Sequence, residues 1–217
     1  MLITAFVTII AAYLIGSINF AVIIAKAFLK KDVRDMGSGN AGTTNVMRNA
    51  GFLAGALTFF FDALKGFVAV FMGKLIFDYI YTSTQSEWAL PIYGAYICGL
   101  ACMLGHVFPI FFEFKGGKGV ATSVGVFSVC CPVAIISGLS VFAVSTVISK
   151  IVSLSSLIAT VVVVTLSIIF YDTDASLLPQ AVLSIAMGLL VVLKHKDNIK
   201  RLISGTESKI GGKKKNG

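Results

Sequence analysis

The chain has 217 residues, 57% of them hydrophobic and 13% charged, with a formal net charge of +8 and a mean hydropathy of +0.92. Soluble domains carry roughly 25% charged residues, so these values exclude a water-soluble globular fold and put most of the chain in lipid. A basic surplus in a soluble protein would raise nucleic-acid binding; here the placement of the charges points to a membrane instead, and no nucleic-acid partner is expected.

Apolar runs cover residues 2–29, 52–81, 88–114, 120–149, 151–170 and 175–193, to be compared with the roughly 20 residues that cross a bilayer as a helix. The first has no cleavage-site pattern and is too long for a signal core, so it is read as a helix that stays. Lys30, Lys31, Arg34 and Arg48 follow the first run, Lys115 and Lys118 the third, Lys150 the fourth, and a dense basic tail runs from Lys194 to Lys215. The loops at 82–87 and 171–174 contain acidic residues and neither Lys nor Arg.

Under the positive-inside rule this asymmetry sets the parity of the crossings. If 120–149 crossed once, Lys150 and the tail with Lys213, Lys214 and Lys215 would lie outside. If it crosses twice, breaking at Cys131 and Pro132, every basic loop is cytoplasmic. The expected fold is therefore an all-α membrane protein of seven transmembrane segments, some short or broken, in one domain over 1–217, with the N-terminus outside and the C-terminus cytoplasmic. Pro132 favours the break, because proline removes a backbone donor and clashes with the preceding turn. As a consequence 120–131 gives only ~18 Å of helix against a ~30 Å core, so it must tilt, thin the bilayer or re-enter. Cys98, Cys102, Cys130 and Cys131 all lie in apolar runs without a zinc-like pattern, so free thiols, no disulfide and no metal are expected.

Three polar stretches collect on the cytoplasmic side of this topology. The first contains Gly37, Ser38, Gly39, Asn40, Ala41, Gly42, Thr43, Thr44, Asn45 and Arg48. Its glycines let backbone amides approach a ligand, its Ser, Thr and Asn supply neutral donors, and Arg48 is a planar fork suited to phosphate oxygens. A flexible turn between helices is the plainer alternative, against which stands its length of about twenty residues. The second, Lys115, Gly116, Gly117, Lys118 and Gly119, leads straight into a helix whose unpaired N–H groups attract phosphate. It lacks the spacing of a nucleotide-binding P-loop, with Phe112 and Gly119 where a glycine and a hydroxyl residue are required. The third carries His195 and Asn198, three apart on one helical face with Ile199 and Leu202, while Lys196 and Lys200 point elsewhere. A juxtamembrane segment that reads anionic lipid explains those lysines but not the shared face.

Inside the membrane, Ser153 and Ser156 either enter a site from above or bond back to the i−4 carbonyl. Asp62 and Lys65, where an isolated ion would be costly, are spaced to pair with each other. His106 either orients the glycine loop or is a satisfied interfacial side chain.

Gly37, Ser38, Gly39 and Asn40 with Thr44, Asn45 and Arg48, then Gly105 and His106 through Lys115, Gly116, Gly117, Lys118, Gly119, Val120, Ala121 and Thr122, then His195 with Asn198, Ile199, Arg201 and Leu202, together resemble the bacterial acyl-phosphate-dependent glycerol-3-phosphate acyltransferases. The resemblance spans nearly the whole chain, with three motifs in the family's order. It implies transfer of an acyl group from acyl phosphate, without coenzyme A or other cofactor, to the first hydroxyl of glycerol 3-phosphate. It also implies active-site roles for Ser38, Arg48, Lys118, Ser156, His195 and Asn198, with the glycines around Lys118 holding glycerol 3-phosphate, and a structural role for Glu207. Thr43 and Ser155 stand where the family usually has alanine, and Lys194 replaces a common arginine, so either Ser155 or Ser156 can be the contacting hydroxyl.

Transfer between two phosphorylated molecules needs two neutralised phosphates, an aligned hydroxyl and a supported oxyanion. Arg48, Lys118 and Ser38 are expected to take one phosphate and the turn at 116–119 the other. Asn40, Thr44, Asn45, Lys115 and Ser153 are further expected substrate contacts, and His195 or the substrate phosphate acts as base. The expected partners are glycerol 3-phosphate, acyl phosphate and membrane lipid, at the cytoplasmic face of a bacterial inner membrane. A transporter for phosphorylated metabolites is the competing class, but apart from Lys65 the basic groups lie at the membrane edge rather than midway. A scaffold for anionic lipid would use only the tail.

Overall fold

The computed structural model describes residues 1–211, and all regular structure among them is helical. Lys213, Lys214 and Lys215, part of the expected cytoplasmic tail, lie outside the described residues. The α-helices are α1 (Leu2–Gly16), α2 (Phe20–Leu29), α3 (Thr43–Ala50), α4 (Phe52–Thr84), α5 (Pro91–Val107), α6 (Val120–Cys130), α7 (Pro132–Ser149), α8 (Val152–Ile169), α9 (Leu177–Lys194) and α10 (Lys196–Ile203). Counting α1 and α2 as one span, six are long and apolar enough to cross a membrane, and α6 is a shorter apolar helix.

The first apolar run is not one continuous helix. It breaks at 17–19, where the Asn19 side chain accepts from the Val22 N–H at 3.3 Å and caps α2. The Lys65 ammonium donates to the Ile18 carbonyl at 2.6 Å, satisfying a backbone group that the break would leave bare in lipid. The expected break at Cys131 and Pro132 is present: Cys131 leaves helical geometry and Pro132 opens α7 at the position where a missing N–H does no harm.

The shortness of α6 has a definite cause. The Cys131 thiol reaches the carbonyl of Phe170, the last turn of α8, so the two helices end at the same level. With 11 residues against 18, α6 must begin ~10 Å further into the bundle than α8 at 1.5 Å rise per residue. The glycine-lysine turn therefore dips inward from the membrane edge, and the buried state of Gly117 and Gly119 agrees.

α4, some ~50 Å long, is the strut on which α1, α5 and α6 pack. α4 and α6 approach backbone to backbone through small residues, a membrane packing mode that brings main chains into contact. A Cβ at Gly125 would fall on the Ala63 carbonyl, and one at Gly66 on that of Thr122. Tyr96, Met103, Val126, Phe127, Val163 and Met187 form the central core of α5, α6, α8 and α9, while the outer face of α7, with Val144, Val147 and Ile148, is left for lipid.

Gly125→Ala should lower the melting temperature in detergent. The gain in helix propensity, about 1 kcal/mol, is outweighed by an overpacking penalty of about 1–3 kcal/mol where the new methyl meets backbone that cannot rotate away. An unchanged or higher melting temperature would contradict the close contact of α4 and α6.

Candidate active site

Asn45 builds the first polar stretch. Its side chain is buried, its nitrogen lies 2.9 Å from the carbonyls of Val33 and Met36 and 3.1 Å from that of Asn40, and its oxygen accepts from the Ser38 N–H and from Asn49. This wraps 33–40 over the start of α3 and engages both ends of the Asn45 amide, which was expected to contact substrate, within its own loop. The groups presented outward are the exposed side chains of Ser38 and Arg48, neither with a hydrogen-bond partner among the described residues. Asn40 and Thr44 sit half-buried beside them. Arg34, which sequence reasoning treated only as a basic loop residue, pairs with Asp32 at 2.9 Å and donates to the Phe112 carbonyl at 3.0 Å, fastening the first stretch to the second.

Gly117 is the point of contact between those two stretches. Its N–H donates to the His106 carbonyl at 3.1 Å, and a Cβ there would strike the His106 ring and come 2.6 Å from the Ala41 carbonyl. Only glycine fits the gap. Gly119 follows with φ +85°, a left-handed turn that starts α6 without any side-chain cap. The first N–H groups of α6 thus remain open to an anion. Lys115 is not brought here: it is exposed and pairs with Glu113 at 3.0 Å.

The third stretch closes over Lys118, whose ammonium donates to the Asn198 side-chain oxygen. Asn198 in turn donates to Glu207 at 2.8 Å, which also accepts from Ser153 at 3.0 Å and Arg201 at 2.7 Å. Glu207 thereby locks α10 onto the start of α8, and Ser153, expected at the substrate, is engaged in this lock. Burial alone would raise the Glu207 carboxyl, but hydrogen bonds from Arg201, Asn198 and Ser153 hold it below the usual range.

Burial also lowers Lys118 to about 8, with the charges of Arg201 and Arg48 acting in the same direction and Glu207 and Asp197 against it. His195 is buried and lowered to about 4, first by burial and further by the Lys118 charge. Its Nδ1 lies 2.8 Å from the Val191 carbonyl. A carbonyl only accepts, so the proton sits on Nδ1 and Nε2 carries the lone pair.

Beside this polar centre a cavity of about 120 Å³ runs between α6, α7, α8 and α9, lined by Val124, Phe127, Leu139, Phe142, Val164 and Met187, with Ser123 and Ser156 also on its wall. Ser156 bonds back to Val152 at 2.9 Å. Ser155 is fully buried, bonds back to Ile151 at 3.1 Å and does not line the cavity. Thr43 buries its hydroxyl without a partner among the described residues. The cavity was invisible in the sequence, since it arises from the packing of four helices whose apolar patterns are nearly uniform.

Comparison with known proteins finds matches over nearly the whole chain. The sequence model of a family described as glycerol-3-phosphate acyltransferase matches residues 6–205. A glycerol-3-phosphate acyltransferase of Thermoanaerobacter pseudethanolicus is 42% identical over 96% of this chain and 97% of its own length. Glycerol-3-phosphate acyltransferase 2 of Bacillus anthracis is 42% identical over 94% and 97%. Two crystal structures of PlsY (YgiH), an integral membrane glycerol 3-phosphate acyltransferase, share 37% identity. The glycerol 3-phosphate form superposes with a TM-score of 0.80 over 95% of this chain and 96% of that one. The lysophosphatidic acid form gives 0.78 over 95% of each.

Lys118 is a cation below about pH 8 and loses its charge above it, so affinity for inorganic phosphate should fall as pH rises through that value. Arginine stays charged throughout, so Lys118→Arg serves as the reference that removes the anion's own titration. Titration calorimetry across this range should show wild-type affinity falling relative to Lys118→Arg; parallel curves would contradict the assignment.

Proposed function

This chain belongs to the glycerol-3-phosphate acyltransferase family, and from that premise we propose that it moves a fatty acyl group from acyl phosphate to the first hydroxyl of glycerol 3-phosphate, releasing lysophosphatidic acid and inorganic phosphate. The observation that carries the reading is the convergence of three polar stretches, through Gly117 against Ala41 and Lys118 on Asn198, around one uncapped helix start beside an apolar cavity. Relatives that hold glycerol 3-phosphate in one form and lysophosphatidic acid in another support acceptor and product. The donor rests on the motif resemblance and on the juxtaposition of a phosphate-seating centre with space for an acyl chain.

The acceptor's phosphate sits on the 116–119 turn, where the α6 dipole and open N–H groups offset its charge. Arg48, Lys118 and Ser38 hold the phosphate of the donor, and the chain of the donor lies in the cavity past Ser156. The glycerol hydroxyl oxygen forms the new ester bond to the acyl carbon as the acyl-oxygen bond of the mixed anhydride breaks and phosphate leaves. Burial and the Lys118 charge lower the His195 imidazole and weaken it as a base, while a free phosphate monoester has its second pKa near ~6, so substrate phosphate is assigned the proton. His195 Nε2 accepts a hydrogen bond from the hydroxyl and aims it, and Asn198 holds the glycerol beside it.

Seven crossings, with α6 as the short one, put all three stretches on the cytoplasmic side of a bacterial inner membrane. The basic residues on the loops after α2, α5, α7 and α9 support this orientation.

Purified protein in liposomes should form lysophosphatidic acid and inorganic phosphate from acyl phosphate and glycerol 3-phosphate, and none from acyl-CoA; product from acyl-CoA alone would overturn the donor assignment. Lys118→Ala should abolish turnover. His195→Ala should act mainly on the KM for glycerol 3-phosphate, while loss of a general base would lower kcat by roughly a hundredfold or more.

A further inference from the structure

Asp62, Lys65 and His106 form a buried ionic cluster that the mechanism above does not use. All three are at least nine-tenths buried. Asp62 Oδ1 lies 2.9 Å from the Lys65 ammonium and 3.5 Å from His106 Nδ1, while neither Asp62 oxygen nor His106 Nδ1 has a well-directed hydrogen-bond partner among the described residues, so charge and close packing join the three. A buried ion pair is weak evidence for stability, since well-packed apolar groups serve as well or better. What distinguishes this cluster is where its ends lead. Lys65 holds the Ile18 carbonyl at the break between α1 and α2. His106 accepts the Gly117 N–H on its own carbonyl, and its ring forms the floor against which Gly117 rests.

We infer that Asp62 is a positioning residue for the glycine-lysine turn: through His106 it sets the height and tilt of Gly116 and Gly117, and so the aim of the backbone donors toward the acceptor's phosphate. Lys118 is fastened separately, on Asn198, so the donor's phosphate is served by a group that the cluster does not hold. The inference rests on the acyl-transfer reading given above.

The test is steady-state kinetics on Asp62→Asn, which keeps the shape and removes the charge, and on His106→Gln, which leaves the Asp62–Lys65 pair intact. Both should raise the KM for glycerol 3-phosphate by about tenfold or more while the KM for acyl phosphate and kcat stay within about threefold. The double variant Asp62→Asn, Lys65→Met, which removes both charges, should keep the high KM even where its melting temperature recovers. An unchanged KM for glycerol 3-phosphate in either folded single variant overturns the inference, as does an equal rise for both substrates. If Asp62→Asn does not fold, His106→Gln decides; if neither folds, the cluster is a folding element and the positioning role is overturned. Wild-type protein that makes no lysophosphatidic acid would instead sink the acyl-transfer reading itself.

Discussion

Helix α6 starts ~10 Å further into the bundle than α8, with no side chain among the described residues capping its first N–H groups, and nearly every other feature of the site answers that exposed helix end. Backbone donors at this depth lack bulk water and must find partners or a ligand. Lys118 stands beside them, within reach of the Arg48 charge, and is covered by α10 through Asn198. An anion is the one ligand class that satisfies open N–H groups and a desolvated ammonium together. A doubly charged head group would also return Lys118 to a fully cationic state, so binding and protonation reinforce each other.

The charge balance before substrate arrives is equally constrained. A protonated His195 next to Lys118 would crowd two cations into a buried space, and its low pKa keeps it neutral. Glu207 is a carboxylate of this centre, yet it is occupied by Ser153, Asn198 and Arg201, so it orders α10 instead of competing for the anion site. The N–H side of His195 is fixed by a backbone carbonyl of α9, which leaves Nε2 as an oriented acceptor without a further partner among the described residues.

The sequence carried most of the architecture because the bilayer imposes it. Charge asymmetry and Pro132 were sufficient to break 120–149 into two helices, and i,i+3 spacing was sufficient to pair Asp62 with Lys65. The break at 17–19 was not legible, since hydropathy runs unchanged through it and the residue that stabilises it, Lys65, is 47 positions away. Asn45 and Lys115 stand apart from the other expected contacts for opposite reasons. A buried amide that organises its own loop has the same sequence signature as one that binds a ligand, and a lysine in a glycine turn can point to solvent as readily as inward. Ser155 and Ser156 differ only by one step around a helix, about 100°, and packing alone put Ser156 on the cavity wall.

The central claim is that the three polar stretches share one side of the membrane and one pocket. Single cysteines at Ser38, Lys115 and Lys200, with Glu87→Cys as the opposite-face reference, can be labelled by a membrane-impermeant maleimide in vesicles of defined orientation. The account predicts that the first three react only from the cytoplasmic side and Glu87→Cys only from the other. Reaction of any of those three from the side of Glu87 would contradict it.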